Sequence, residues 1–462
     1  MAPLAVGLDD HVAENAPIRR KLPKVNGNRK GRCGAPRRGP SSPPMSQVPD
    51  SEPLPSARAL LGQRSYLLFW GSRWAGSLAV QIQSVALGWH IYELARQTMP
   101  VAEAAFVVGM VGLVTFIPVF LLTLPAGEAV DRYDRRKILL ICYVVEMTSA
   151  GVLAVATWQG FASVPLLLCV AAAFGAGRAF MSPAGTALGP MLVPRSLLPR
   201  AIAWNSLAWQ TASIIGPAIG GLLLARSTAL AYETAFCLYL AGATLTFFIN
   251  GRTKPDLQPG SRLALIKEGL VYVWRQKIVF GAISLDLFAV LLGGATALLP
   301  VFARDILHVG EEGFGLLRAA PAAGATVIAL ILAARPIRAN AGMTMFAGVA
   351  VFGLATIVFG VSRSLWLSVA ALAILGGADM LSVYVRQTLI QLVIPDNMRG
   401  RVAAVSTLFI GASNELGEFR AGVFARFMGV VAAAVVGGVG TLIVTGLWAK
   451  LFPDLRKADR LE

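Results

Sequence analysis

The chain has 462 residues, of which 56% are hydrophobic and 14% charged, whereas soluble domains contain roughly 25% charged residues. Apolar stretches of roughly 20 residues, the length at which a helix crosses the hydrocarbon core of a bilayer, recur from Tyr66 to Phe452. The composition excludes a water-soluble globular domain and predicts an all-α membrane protein.

The net charge of +16 does not indicate a nucleic-acid-binding protein. The basic residues lie at the ends of the apolar stretches and form no single patch with interleaved aromatic residues. With three histidines and four cysteines that lack metal-ligand spacing, no metal site is expected. The chain also lacks a G-x-x-x-x-G-K-[ST] phosphate-binding loop. We therefore expect no cofactor, no ATP hydrolysis and no nucleic-acid partner.

Residues 1–64 are rich in Pro, Gly, Ser, Lys and Arg. A segment of this composition cannot bury enough apolar surface to fold, so we predict a disordered basic tail. It lacks the apolar stretch of a secretory signal and is not expected to be cleaved. Met45 offers an alternative start of translation.

Twelve membrane-spanning helices are predicted from the apolar stretches. The expected organisation is a six-helix half at 65–250, a linker at 251–277, a second six-helix half at 278–452 and a tail at 453–462. Lys and Arg concentrate in every second connection, which favours an even number of spans with both termini in the cytoplasm. The predicted spans are 67–94, 103–124, 138–158, 164–188, 201–225, 230–250, 278–302, 314–334, 342–362, 365–390, 402–424 and 429–451.

The connection between the second and third spans carries the first recognisable motif, Gly127-Glu-Ala-Val-Asp131-Arg132-Tyr-Asp134-Arg135-Arg136. It resembles the G-x-x-x-D-R-x-G-R-R/K loop of the major facilitator superfamily, with Asp134 at the position where the family usually has Gly. The resemblance implies that this loop, through Asp131, holds one conformation of the helix bundle. The alternative is a simple cluster of positive charge set by membrane topology.

The fifth span contains Gly216-Pro217-Ala-Ile-Gly220-Gly221, which resembles the G-P-x-x-G-G motif of proton-coupled exporters in the same superfamily. Glycine allows two helices to approach closely, and proline removes a backbone hydrogen bond, so a bend here suits a helix that rocks. Close packing without any relation to export is the alternative interpretation.

The linker sequence from Arg262 to Arg275 places apolar residues on one helical face and charged residues on the other. This pattern predicts a helix that lies in the membrane interface. The linker separates two halves that show an internal repeat with an offset of 201 residues. When the halves are aligned at this offset, Arg178 corresponds to Asp379 and Gly216 to Gly417. An even number of spans lies between the copies, so the repeats are parallel, as in major facilitator transporters.

Charged residues inside predicted spans are costly in a bilayer and usually face a cavity or a partner. Arg178 and Asp379 occupy equivalent positions in the two halves and are predicted to form a facing pair across the centre, either as a switch or as a fixed structural pair. Asp286 is the best remaining candidate for proton binding. Two alternatives are open for Arg386, Glu415, Glu418 and Arg420, which are mutual pairing near the inner face and contact with the solute. Glu146 is expected close to the inner interface.

The loop at Asp131 and three further stretches together resemble the enterobactin-exporter-like and drug-exporter branch of the major facilitator superfamily. These stretches are Gln83–Leu94, Val193–Arg195 with Asn205-Ser206, and Ser413–Glu418. The resemblance implies two parallel, pseudo-repeated six-helix halves, a monomer in the bacterial inner membrane, and export of a siderophore-like or drug-like amphipathic molecule by proton antiport and alternating access. Arg178, Asp286 and Asp379 would then couple transport to protons. The alternatives are a proton-coupled importer of a nutrient, a membrane-interface enzyme, for which no catalytic motif is present, and a non-transporting sensor.

Overall fold

The computed structural model describes residues 57–251, 253–254, 262–337 and 339–457. Almost all of these residues are helical. The α-helices, in chain order, are α1 Ala57–Leu61, α2 Arg64–Arg96, α3 Val101–Arg132, α4 Arg135–Trp158, α5 Val164–Leu188, α6 Leu198–Leu224, α7 Thr228–Phe247, α8 Arg262–Arg275, α9 Lys277–Gly293, α10 Leu299–Val301, α11 Gly310–Ala334, α12 Ala341–Val361, α13 Leu365–Val393, α14 Asp396–Met428, α15 Val430–Leu451 and α16 Pro453–Arg456.

Ten helical segments of the described chain are long and apolar enough to cross a membrane. They include α9, which continues through short 3-10, α and π turns to Ile306 and so forms one span of 30 residues. The helices α2 and α14, each of 33 residues, pack among these ten and complete the predicted set of twelve. Both carry more polar and charged residues, and α14 packs chiefly on α3 of the other half.

Each half packs its helices in the same way. In the first half, α3 packs on α5, α4 on α5 and α7, and α2 on α6 and α7. In the second half, α11 packs on α13, α12 on α13 and α15, and α9 on α14 and α15. The helices α5 and α13 begin at Val164 and Leu365, positions that correspond under the offset found in the sequence repeat. The parallel, pseudo-repeated arrangement predicted from the sequence is therefore confirmed.

The two halves meet through two helix pairs, α3 with α14 and α6 with α11. Glycines bring the backbones together at both crossings. A Cβ atom added to Gly109 would lie 2.7 Å from Cα of Gly422, and one added to Gly221 would lie 2.7 Å from Cα of Gly315. Such spacing excludes any side chain, so these four glycines set the closest approach of the halves.

Both crossings lie toward the end of the bundle opposite the loop that follows Asp131. We call these two ends the far end and the loop end. Further contacts join the halves at the far end: the Tyr92 hydroxyl donates to Asp305, Arg96 Nη2 lies 3.2 Å from Asp305 Oδ1, and Trp89 stacks on Phe314. The far end is closed by these contacts.

The halves diverge toward the loop end. Gln210 of α6 still reaches α11, where its Nε2 donates to Thr326 Oγ1 at 2.5 Å. One turn closer to the loop end, Leu207 of α6 and Leu330 of α11 are 55% and 66% exposed. Leu207 and Leu330 mark the level at which α6 and α11 no longer cover each other, and we call the space between the halves, which widens toward the loop end, the cleft.

Parts of the predicted domain organisation remain predictions. Residues 1–56 of the proposed tail lie outside the described residues, and the short helix α1 begins before the tail was expected to end. The predicted linker helix is present at Arg262–Arg275, where Glu268 pairs with Arg401 of α14 at 2.5 Å. Its position in a membrane interface remains a prediction.

Candidate functional site

The cleft between the halves is bridged by an ion pair. Arg178, in the middle of α5, extends to Glu415 of α14, with 3.1 Å between Nη1 and Oε1. The Arg178 guanidinium also lies over the ring of Phe174, 5.7 Å from its centroid. One turn along α14, Glu418 lies 3.9 Å from Arg318 of α11. We call these four charged residues, Arg178, Glu415, Arg318 and Glu418, the bridge cluster.

A second charged group lies inside the second half. Asp286 of α9 and Arg386 of α13 form an ion pair with 2.5 Å between Oδ2 and Nη1, and both side chains are almost completely buried. Asp379 lies on α13 and lines the same small cavity of about 10 Å³ as Asp286 and Ser382. We call Asp286, Asp379 and Arg386 the carboxyl cluster.

The predicted facing pair of Arg178 and Asp379 is wrong. The long Arg178 side chain crosses the cleft to Glu415, whereas the short Asp379 side chain lies against α9 within its own half. The repeat correctly placed the two residues on equivalent helices. Equivalent position on a helix does not determine which partner a side chain reaches, because side-chain length and the neighbouring helix also decide it.

The predicted mutual pairing of the charges on α13 and α14 is also wrong. Arg386 pairs with α9, Glu415 with α5 and Glu418 with α11. Arg420 donates to the backbone carbonyl of Gly294, at 3.1 Å, and lies over the ring of Phe424. Arg386, Glu415 and Glu418 thus each pair with a different helix, since residues on one helix face in several directions.

Glu146 of α4 lies inside the first half, and its expected position close to the inner interface stays a prediction. Its side chain is fully buried, and neither carboxyl oxygen has a hydrogen-bond partner among the described residues. A Cβ added to Gly177 would collide with Glu146 Oε1, so the carboxyl group packs against the backbone of α5 beside Arg178. Tyr239 on α7 likewise leaves its buried hydroxyl without a partner. For Glu146, the available sequence signal was the presence of an acidic residue within an otherwise apolar stretch.

The loop after α3 shows why glycine is not needed at position 134. Asp134 has φ −63° and ψ 113°, which any residue adopts, and it caps α4 by accepting a hydrogen bond from the Arg136 amide at 3.0 Å. A side-chain cap of this kind satisfies one of the free amide groups at the start of a helix. The backbone at position 134 therefore does not require glycine, and the Asp134 side chain contributes the cap.

Two arginines of the loop motif connect the start of α4 to neighbouring helices, and a third pairs within α3. Arg135 Nη1 donates to the carbonyl of Ala187 on α5 at 3.2 Å, and Arg136 donates to the carbonyl of Phe247 at the end of α7. Arg132 pairs with Glu128 on its own helix at 2.6 Å. Gly127 and Asp131 lie in the last two turns of α3. Whether the loop controls the conformation of the bundle stays a prediction.

The motif in α6 faces two neighbours. A Cβ on Gly216 would lie 2.6 Å from Cβ of Gln81, and one on Gly220 would lie 3.2 Å from Cβ of Val85, so both glycines face α2. Gly221 faces α11 of the other half, and the Pro217 carbonyl lies 2.7 Å from a Cβ built on Gly315. The motif thus approaches two helices closely, and one of its faces lies at the boundary between the halves.

The fold has many counterparts among solved structures. A bacterial homologue of the human lysosomal transporter Spinster, in an inward-facing and unoccupied conformation, superposes with a TM-score of 0.68 at 14% identity over 85% of this chain and 98% of that one. A D-xylose-proton symporter superposes with a TM-score of 0.64 at 13% identity, over 86% of this chain and 99% of that one. At such identities the likeness shows the fold alone.

Relatives found by sequence are more similar to this chain than these solved structures are. The multidrug efflux pump Tap of Mycobacterium tuberculosis is 29% identical over 368 residues, which cover 76% of this chain and 86% of the relative. The enterobactin exporter EntS of Citrobacter koseri is 26% identical over 401 residues, which cover 82% and 91% of the two chains. The family model described as transmembrane secretion effector matches residues 55–462. The chain therefore belongs to this family of major facilitator transporters, and it is a multi-pass membrane transporter rather than an enzyme.

Proposed function

We propose that the chain exports an amphipathic organic molecule from the bacterial cytoplasm in exchange for protons. The relatives named as a multidrug efflux pump and an enterobactin exporter each match more than three quarters of the chain, which supports export of such molecules. The walls of the cleft combine exposed leucines with a charged bridge, Arg178 and Glu415. This combination suits a solute that has both an apolar body and polar groups.

The observation that carries proton coupling is the charge balance of the carboxyl cluster. Asp286 and Asp379 line one small cavity, and Arg386, which pairs with Asp286, is the cation of this cluster. Inside a bilayer an uncompensated charge costs at least about 2.5 kcal/mol. One arginine neutralises one carboxylate, so the cluster is neutral when the second carboxyl group carries a proton. A proton held in this way can be released when the environment of α9 and α13 changes.

The proposed transport cycle alternates between two arrangements of the halves. In the structure the far end is closed by the glycine crossings and the loop end is open. The excess of Lys and Arg at the loop end supports a cytoplasmic position for this end and for both termini. The arrangement with the cleft open at the loop end would then be the state that receives solute from inside the cell. Closing the loop end must bring α6 and α11 together around Leu207 and Leu330, while the glycine crossings separate.

The test uses inverted membrane vesicles energised by respiration, with ethidium as the cationic dye and an acridine dye to report the interior proton concentration. Proton-coupled export predicts uptake of ethidium into the vesicles, loss of that uptake on addition of a protonophore, and proton release from the vesicles when ethidium is added. Asp286→Asn and Asp379→Asn should abolish both signals. Asp454→Asn, at an exposed carboxyl group on α16, is the matched control and should retain both.

Two outcomes would contradict the proposal. Uptake that survives the protonophore and both carboxyl variants would remove proton coupling but leave export in place. Proton-dependent loss of dye from preloaded inverted vesicles would reverse the direction and favour a proton-coupled importer. Repeating the assay with a catechol siderophore tests the second solute class suggested by the relatives.

A further inference from the structure

A groove of about 690 Å³ lies at the loop end of the first half, between the end of α3, the start of α4 and the middle of α5. Its volume falls within the range of about 300–1,000 Å³ that is typical of small-molecule sites. Most of its wall is apolar, with Ile138, Ile141, Val145 and Phe180 among the lining residues. The groove is separate from the bridge cluster and from the carboxyl cluster.

The groove opens away from the cleft between the halves. Ala176 and Phe180 are each two residues from Arg178, which is about 200° around an α-helix, so they lie on the face of α5 opposite to the bridge. Ile141 on α4 is 63% exposed at the groove. The principal contacts of α4 are with α5 and α7 of its own half. The open side of the groove therefore faces the hydrocarbon that surrounds a membrane-spanning bundle.

Positive charge is concentrated where the groove meets the loop end. Arg132, Lys137 and Lys254 line it there, together with Asp134. The Asp134 carboxylate accepts the amide hydrogen of Arg136, and Arg132 is paired with Glu128. Lys137 and Lys254 are exposed, and neither forms an ion pair within the part of the chain that the structure describes. The groove thus has two ammonium groups at one end of an apolar surface.

We propose that this groove binds an anionic phospholipid of the surrounding bilayer. The headgroup phosphate lies between Lys137 and Lys254, and one acyl chain follows Ile141 and Val145 toward the middle of the membrane. Basic pockets between membrane helices at the level of the headgroups bind anionic lipids through this combination of charge and apolar surface. A transported solute fits less well, because no residue of the bridge cluster or of the carboxyl cluster lines the groove.

A lipid in this position would contact both sides of the loop that follows Asp131. Its headgroup would connect Lys137, at the start of α4, with Lys254, beyond the end of α7, and its chain would fill the space between α4 and α5. The arrangement of α3, α4 and α5 shown by the structure would then be stabilised by occupancy, since a ligand stabilises the state that it binds. The binding itself does not depend on the direction of transport or on proton coupling.

The test uses the purified full-length protein in detergent. Dioleoyl phosphatidylglycerol and dioleoyl phosphatidylcholine are titrated separately, bound lipid is counted by native mass spectrometry, and thermal unfolding is followed by tryptophan fluorescence. We expect one retained phosphatidylglycerol and an increase in the unfolding temperature that phosphatidylcholine does not produce. Lys137→Gln with Lys254→Gln should weaken phosphatidylglycerol binding roughly tenfold or more. The matched control, Lys277→Gln with Arg335→Gln, neutralises two exposed basic residues of the other half and should leave binding unchanged.

A second variant tests whether the apolar part of the groove holds the acyl chain. Ala176→Phe adds an aromatic ring inside the groove and should reduce lipid retention while leaving the two lysines in place. Glycerol phosphate, which has the phosphate but no acyl chain, should fail to compete with phosphatidylglycerol. Equal retention of both lipids, equal binding by the lysine variant and its control, or full competition by glycerol phosphate would each overturn the proposal, the last in favour of a free-phosphate site.

Discussion

Arg178 and Glu415 join helices from opposite halves of the transporter, with 3.1 Å between Nη1 and Oε1 and with 42% and 16% of their side chains exposed. The pair lies at the open side of the glycine crossings, where the halves begin to diverge. Any movement that opens the far end must alter this distance, because α5 and α14 belong to different halves. The pair is therefore placed to respond to the conformation of the bundle.

Neutralising this pair should affect transport more than stability. A partly exposed ion pair contributes about 0–1 kcal/mol to the free energy of unfolding, so Arg178→Gln and Glu415→Gln should unfold within a few degrees of the wild type. Ethidium transport should fall by roughly tenfold, the equivalent of about 1.4 kcal/mol in the balance of states. The charge-reversed double variant, Arg178→Glu with Glu415→Arg, should recover part of the activity. A loss of transport that the double variant deepens would exclude a role for the pairing itself.

The carboxyl cluster should be important for stability. Arg386 is 2% exposed and bonded to Asp286, so Arg386→Met leaves a buried charge without a partner, at a cost of about 3–5 kcal/mol. Thermal unfolding in detergent should show a large decrease in unfolding temperature. Asp286→Asn with Arg386→Met removes both charges and should be more stable than the single variant Arg386→Met. If the single and double variants unfold at the same temperature, the pair is not buried as the structure shows it.

The glycine crossings should control closure of the far end. A side chain at Gly221 would collide with Gly315, so Gly221→Leu should disfavour the arrangement shown by the structure. Spin labels at positions 226 and 312, on a background in which all four cysteines are replaced by serine, measure the distance between the halves at the far end. The distribution should shift to longer distances in Gly221→Leu. Gly446→Leu, where an added Cβ meets nothing within 4 Å, is the control and should not change the distribution.

Glu146 should reduce the stability of the fold. A buried polar group without a hydrogen-bond partner costs about 1–3 kcal/mol, and both Glu146 carboxyl oxygens are in this situation. Glu146→Met keeps the shape of the side chain and removes the polar group, so it should raise the unfolding temperature in detergent. If the residue serves transport through the adjacent Arg178, the same variant should transport ethidium more slowly. A lower unfolding temperature would show that the carboxyl group has a partner in the folded protein.

The sequence by itself determined the membrane class, the twelve helices, the loop after Asp131, the linker helix and the repeat. These features are local or periodic: the length of an apolar stretch fixes a span, and amphipathic spacing fixes the Arg262–Arg275 helix. The repeat offset correctly related α5 to α13. Position along the chain was sufficient for each of these predictions, because a bilayer requires every spanning segment to satisfy its own backbone hydrogen bonds.

Only the tertiary structure decided which charges meet. Arg178 pairs with Glu415 and Asp286 with Arg386, and neither pairing follows from spacing along the chain, since the partners are 237 and 100 residues apart. Partner choice depends on the rotation of each helix, its axial position against its neighbours and the reach of each side chain. The burial of Glu146 has the same origin, because the close approach of α5 at Gly177, and not the sequence around Glu146, covers its carboxyl group.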